Sequence, residues 1–341
     1  MLLLVASTWI ACDVHELPNP PERTEIVLRL NHETGITFWS HQYDGTTVKE
    51  LSTGPTLEST RKYGFMRYVI RTYPVSGQQR SVQDYVEEFV LIRNLSDGYD
   101  RELTISMLPG EYTIMIWSDL LEKSSDASFH DAHDFSEISL QGKHQGNNDY
   151  RDAFRGTQNV DVYSSIQQRV PDSIDVIMQR PLARFEFVTT DLQEFVDKEI
   201  EYLTKMAETR GEESPTRVEF DNYRVIFQYA GFMPDTYNMF TDKPVDSSTG
   251  VLFESKMNVL NEKEASLGFD YVFVNGRESG VSVQVGIYDK DGRQLSLTEP
   301  MNVPLRRNHN TILRGSFLMQ RASGGITIKS EFEGNLNIEI Q

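Results

Sequence analysis

Cysteine is all but missing: Cys12 stands alone in 341 residues. A single thiol forms no internal disulfide, and no zinc site can be assembled from thiolates. Positive charge is also short, with 33 Lys and Arg against 51 Asp and Glu, a net of −18. So negative a surface repels phosphate backbones, which argues against nucleic acid as a partner. It also has no purely electrostatic hold on anionic lipid. The apolar start, residues 1–11, falls short of the roughly 20 residues that span a bilayer. Gly-x-Ser-x-Gly, Walker and strand-preceded Gly-x-Gly-x-x-Gly patterns are absent, which removes the commonest hydrolase and nucleotide signatures.

What is present supports a folded chain, because 38% of residues are hydrophobic and 11% aromatic. Eleven uncharged residues lead to Cys12, an apolar run closed by a small residue in the manner of a signal peptide. Trp9-Ile10-Ala11-Cys12 resembles a bacterial lipobox, which implies that Cys12 is lipidated and begins the mature chain. Residues 13–23 (DVHELPNPPER) are polar and proline-rich and read as a tether.

Beyond the tether, alternation dominates. Ile26, Leu28 and Leu30 mark one face of a strand over 24–30. Residues 68–73, 89–92, 103–107 and 112–117 follow, the last two expected to pair as a hairpin about Pro109-Gly110. Residues 118–159 turn polar and predict long surface loops with a strand near 138–140. Strands resume at 174–178, 180–188, 217–229, 251–257, 267–274, 281–288 and 311–318. A helix begins near Thr190, read as N-cap with Gln193 closing a capping box. Leu192, Phe195, Val196, Leu203 and Met206 form its apolar face, and Gly211 ends it. Asp289-Lys290-Asp291-Gly292 reads as a hairpin turn, since it lacks the remaining ligands of a calcium loop. Ile326, Ile328, Phe332, Leu336, Ile338 and Ile340 give a two-periodic final strand. That strand either completes its own sheet or adds to another subunit's.

His130, Asp131, His133 and Asp134, with His144 and Asp149 nearby, form the densest polar cluster. Its spacing matches no defined metal site, so a solvated acidic loop is the plainer reading.

Four segments together resemble the fimbrillin and fimbrial-anchor superfamily of Bacteroidales-type bacteria. They are Leu108–Thr113 with Trp117-Ser118-Asp119; Arg151-Asp152-Ala153-Phe154-Arg155-Gly156; Gln179-Arg180-Pro181-Leu182-Ala183-Arg184-Phe185; and Val303–Thr311 (VPLRRNHNT). The resemblance implies a mainly β chain of two consecutive transthyretin-like antiparallel sandwich domains, with one helix in the second. The expected division is a signal peptide at 1–11, a tether at 12–23, and domains at 24–170 and 171–341. It implies a lipid-anchored outer-membrane subunit or anchor of a fimbrium, joined to other fimbrial subunits by strand exchange and supporting adhesion to a host or bacterial surface. No cofactor and no enzymatic activity are implied. Proteolysis at an Arg would fall at Arg23 or Arg29. The alternative is a surface glycan-binding lipoprotein of a nutrient-uptake system, for which Phe129, Tyr150 and Tyr163 are the candidate aromatics.

Overall fold

The computed structural model describes residues 22–59, 61–75, 85–163 and 172–320. Cys12, the tether before residue 22 and the expected last strand at 325–341 lie outside the described residues. The first half contains β1 (Thr24–His32), β2 (Ile36–Tyr43), β3 (Val48–Leu57), β4 (Phe65–Pro74), β5 (Glu87–Asn94), β6 (Arg101–Met107) and β7 (Glu111–Leu121). Next come β8 (His130–Asp131), β9 (Ile138–Leu140), β10 (Ala153–Asp161), β11 (Asp172–Met178), β12 (Leu182–Thr189) and the helix α1 (Leu192–Arg210). The rest comprises β13 (Tyr223–Tyr229), β14 (Met233–Asn238), β15 (Lys243–Ser248), β16 (Leu252–Ser255), β17 (Asn258–Val259), β18 (Ala265–Phe273), β19 (Glu278–Asp289), β20 (Gln294–Leu297), β21 (Met301–Arg306) and β22 (His309–Gly315).

Two sandwiches result. In the first, sheet β11-β1-β6 faces sheet β10-β7-β4-β5. Ile26, Leu28 and Leu30 of β1 meet Met66, Tyr68 and Ile70 of β4 across one core, as their alternation requires. In the second, the six-stranded sheet β17-β18-β12-β22-β2-β3 faces β16-β13-β19-β20, with β21 paired to β19. Phe185, Phe187, Val225 and Phe227 fill that core. A third core lies between the sandwiches, where Met115 and Trp117 of β7 meet Leu182, Tyr271 and Phe273. Sheet β10-β7-β4-β5 is therefore buried on both faces along β7, whose residues from Tyr112 to Leu121 are all buried.

The sheets do not follow the boundary expected at 170/171. After β1 the chain leaves the first sandwich and lays β2 beside β22 in the second, in parallel register. Conversely β11, after the boundary, pairs in parallel with β1. Parallel neighbours need a crossover, and each passage between the bodies provides one. The sheets are thus mixed, not purely antiparallel.

Two local expectations are corrected. Residues 103–107 and 112–117 do not pair with each other: β6 pairs with β1, and β7 with β4 and β10. Pro109-Gly110 carries the chain across the core, so that Leu103 and Ile105 contribute to it from one sheet and Ile114 and Ile116 from the other. The polar stretch 118–159 is exposed loop only in part, at 122–127 and 141–143, and it contains the strand expected near 138–140 as β9. Its start completes β7, its end is β10, and β8 and β9 join β14 and β15 in a further small sheet. Ala132, Phe135 and Ile138 are buried in the third core, and that burial pins the segment.

The helix runs where expected, but Asp191 rather than Thr190 is its N-cap, without a side-chain cap bond. The Asp191 carboxylate instead accepts from the backbone N–H of Met319 at 3.0 Å. Gln193 donates to Asp197 at 2.9 Å, so there is no capping box. Gly211 ends the helix with φ of 69°, the left-handed conformation that glycine adopts at low cost. The turn at 289–292 is as expected: Asp289 accepts from the N–H groups of Asp291 and Arg293 at 3.0 and 2.8 Å, and this occupies its carboxylate.

Candidate functional site

Three of the segments that carry the family resemblance, far apart in sequence, meet at the junction of the two sandwiches, where Trp117 of the fourth also packs. Arg180, just before β12, is almost fully buried. A buried guanidinium is tolerated only when its charge is paired and its donors are used. Its Nε and Nη2 donate to the two oxygens of Asp152 at 2.6 and 2.9 Å. Nη1 donates to Asn308 Oδ1 at 3.1 Å and Nη2 to the Thr34 carbonyl at 3.2 Å. The guanidinium also lies over the Phe154 ring, 4.8 Å from its centre. Burial opposes the Arg180 charge, but Asp152 outweighs it and holds the pKa above its usual value.

Similar pairs flank this one. Arg151 and His144 both reach the buried Asp270; His144 Nε2 is 2.6 Å from its Oδ2, and Tyr229 donates to the same oxygen at 2.6 Å. Burial disfavours the Asp270 anion, yet Arg151 and His144 prevail and keep its pKa below the usual carboxylate value. Asp242 receives Arg155 at 2.6 Å and Arg307 at 2.8 Å. On the junction face of β7, buried Asp119 accepts from Arg67 at 3.0 and 2.6 Å, from Trp117 Nε1 at 2.9 Å and from Ser128 at 2.7 Å.

Beside the Arg180 pair the sandwiches leave an open cleft of about 730 Å³. One lip is the turn at 61–64 resting on Tyr150. Gly64 makes that approach possible: its φ is +98°, and a Cβ there would lie 2.7 Å from the Leu121 carbonyl oxygen and 2.9 Å from Tyr150. Arg61 lies over the Tyr150 ring at 4.7 Å and pairs with Asp149 at 3.1 Å. Tyr63 projects from this lip and is 83% exposed. Phe38 and Leu57 of the β2–β3 hairpin line the cleft, as do Arg184, Glu186 and Asn310. Arg184 and Glu186 pair at 2.7 Å.

Of the three aromatics singled out in the sequence, Tyr150 lines this cleft. Phe129 lines a separate cavity of about 460 Å³ beside His144 and Arg151, and Tyr163 is exposed and lines neither. The histidine cluster does not converge. Among the described residues no group of three His, Cys, Asp or Glu is placed to hold a metal. His130 is buried edge-on to Trp117 at 5.3 Å, whereas His144 serves Asp270. Burial lowers the His130 pKa to about 4. Arg23 lies just before β1, half-exposed and paired with Glu87 at 2.5 Å. Arg29 lies inside β1, opposite Glu102 on one side and Asp175 on the other. In the sequence Arg180, Asp152 and Asn308 stand out only as members of the motifs. The usable signal was an arginine at the head of an apolar strand, since such a residue requires a carboxylate partner.

Fold and junction together define a mainly β protein of two interleaved sandwiches locked by buried ion pairs. The chain belongs to the family of unknown function DUF6562, whose sequence profile matches residues 23–341. No functionally curated protein matches it. It is similar to the solved structure of a candidate adhesin from Bacteroides ovatus, at 9% identity and a TM-score of 0.40, covering 89% of this chain and 88% of that one. It is similar to the fimbrial anchor protein Mfa2 from Porphyromonas gingivalis at 12% identity and 0.37, covering 80% and 82%. A candidate polysaccharide-binding protein from Bacteroides thetaiotaomicron stands at 10% and 0.41, covering 81% and 80%.

Proposed function

We propose that this chain is a non-enzymatic, surface-displayed fimbrial subunit or anchor that supports adhesion. Cys12 carries the lipid that holds it to the outer membrane, the tether spaces it outward, and two transthyretin-like sandwiches contact neighbouring subunits by strand addition. The observation that carries this reading is the convergence at one buried junction of three of the segments that resemble the fimbrial family. Asp152, Arg180 and Asn308 come from three of them and bond directly to one another through Arg180.

Of the two basic sites we assign processing to Arg23. It precedes β1, whereas Arg29 sits in a strand paired on both sides and is shielded from a protease that needs an extended segment. Cutting at Arg23 releases the tether and leaves β1 in place. Such a cut parts the folded body from the Cys12 lipid, so it suits a subunit freed for assembly; an anchor keeps the Arg23–Thr24 bond intact.

Three measurements test the proposal. Labelled palmitate should enter the wild type and not Cys12→Ala; label that persists in the variant overturns the anchor. N-terminal sequencing of any processed form should begin at Thr24; a start at Leu30 reverses the assignment of the cut. Donor-strand peptides from neighbouring subunits should form a stable complex with the purified protein, and a protein that stays monomeric with them rejects strand addition.

A further inference from the structure

We propose that the cleft between the sandwiches is a binding site for a neutral carbohydrate, with Tyr63 as its platform and the ion pairs of the cleft as its hydroxyl readers. Its volume of about 730 Å³ falls in the range of small-molecule sites, and its position between two bodies is a common one for them.

The charge of the lining selects the ligand class. Arg61, Arg180 and Arg184 each already hold a carboxylate, Asp149, Asp152 and Glu186 in turn. An anion entering the cleft would meet three carboxylates, and a cation three guanidinium groups. The net −18 of the whole chain further disfavours sulfated or uronate-bearing chains. A hydroxyl group both donates and accepts, so either half of a pair can serve it without a net charge to neutralise. Asn310 adds an acceptor, because its Oδ1 is buried without a hydrogen-bond partner among the described residues.

The aromatic lip supplies the second requirement. A pyranose ring offers a face of C–H groups with hydroxyls at its edge. A tyrosine offers the matching apolar body and polar tip. Tyr63 leaves its ring in solvent, while Tyr150 beside it is held under Arg61. A peptide would instead call for apolar pockets at alternate positions along a strand edge. The centre of this cleft is occupied by ion pairs.

The inference does not rest on the fimbrial assignment, since an anchor, a stalk subunit and an uptake lipoprotein could each use such a cleft. A negative palmitate result leaves it standing, and a negative carbohydrate result leaves the anchor standing.

The test is an array of neutral, sulfated and uronate-bearing oligosaccharides probed with the whole protein, followed by calorimetry on the hits. Neutral oligosaccharides should bind, with an affinity that changes less than about twofold between low and high salt. Tyr63→Ala should weaken that binding about tenfold, the loss of one well-placed aromatic contact, with the melting temperature unchanged. Asn310→Leu should weaken it as well. Four outcomes overturn the proposal: no neutral oligosaccharide binds; only charged ones bind, with steep salt dependence; a peptide competes for the cleft; or binding is undiminished in Tyr63→Ala.

Discussion

The interiors of the two sandwiches and the junction between them are held in different ways. Inside each sandwich the cores are aliphatic and aromatic, with Ile116 or Phe187 packed among similar neighbours. At the junction an apolar patch around Trp117 is ringed by buried Arg–Asp pairs. Apolar cores respond in proportion to what is removed, about 1.5–3 kcal/mol for a whole buried side chain. A buried pair responds disproportionately when one partner is lost, because the other charge stays behind. The junction should therefore be the brittle part of the molecule and the sandwiches the graded part.

Arg180→Ala attacks that contrast most directly. It strands Asp152 and should cost about 3–5 kcal/mol in chemical denaturation. Replacing both partners, Arg180→Met with Asp152→Leu, should recover most of the loss. A single variant that costs under about 1 kcal/mol would falsify the claim of a brittle junction.

Acid probes the histidines buried beside the charges. His32 and His130 both have pKa values lowered to about 4, burial being the largest cause. His130 Nδ1 is 3.9 Å from Asp119, too far for a hydrogen bond. Between the usual 6.5 and about 4 the unfolded chain binds protons that the folded chain does not. Stability is thus intact above pH 6.5 and is lost as the pH falls toward 4, by up to about 3 kcal/mol per histidine. Melting curves across that window should slope downward, and His130→Phe should flatten part of the slope. An unchanged slope in the variant removes His130 from this account.

Smaller effects sharpen the graded side. Ile116→Val should cost about 0.5–1.5 kcal/mol, the ordinary loss of one buried methylene. Tyr63→Ala should stay within about 0.5 kcal/mol of wild type, because its ring is in solvent. A large loss there would make the lip a structural prop.

The elements that were legible in the sequence are those whose alternation is also their burial. β1 shows Ile26, Leu28 and Leu30 because each is fully buried. The hairpin β2–β3 escaped notice because Ser40, His41 and Gln42 interrupt the alternation of β2, and β3 is an exposed edge. Its docking partner β22 lies more than 250 residues away in sequence, and no local pattern encodes that. The segment after Ser118 misled for a different reason. Some of its polar residues bond to one another and to arginines elsewhere, so composition reads as solvent where part of the segment is interior. Tyr150 could be found as an aromatic in a polar stretch. Arg180 and Asp152 were visible as residues, but their pairing was not.

The placement of β1 has a mechanical consequence. A pull on the chain at Arg23 runs along the strand axis, while the hydrogen bonds to β6 and β11 lie across it. Seven residue pairs on each side are then loaded in shear and must yield together, not one after another as in peeling. Past His32 the chain runs directly into β2, seated in the other sandwich. Tension entering at Arg23 is therefore shared by both bodies before either begins to unravel.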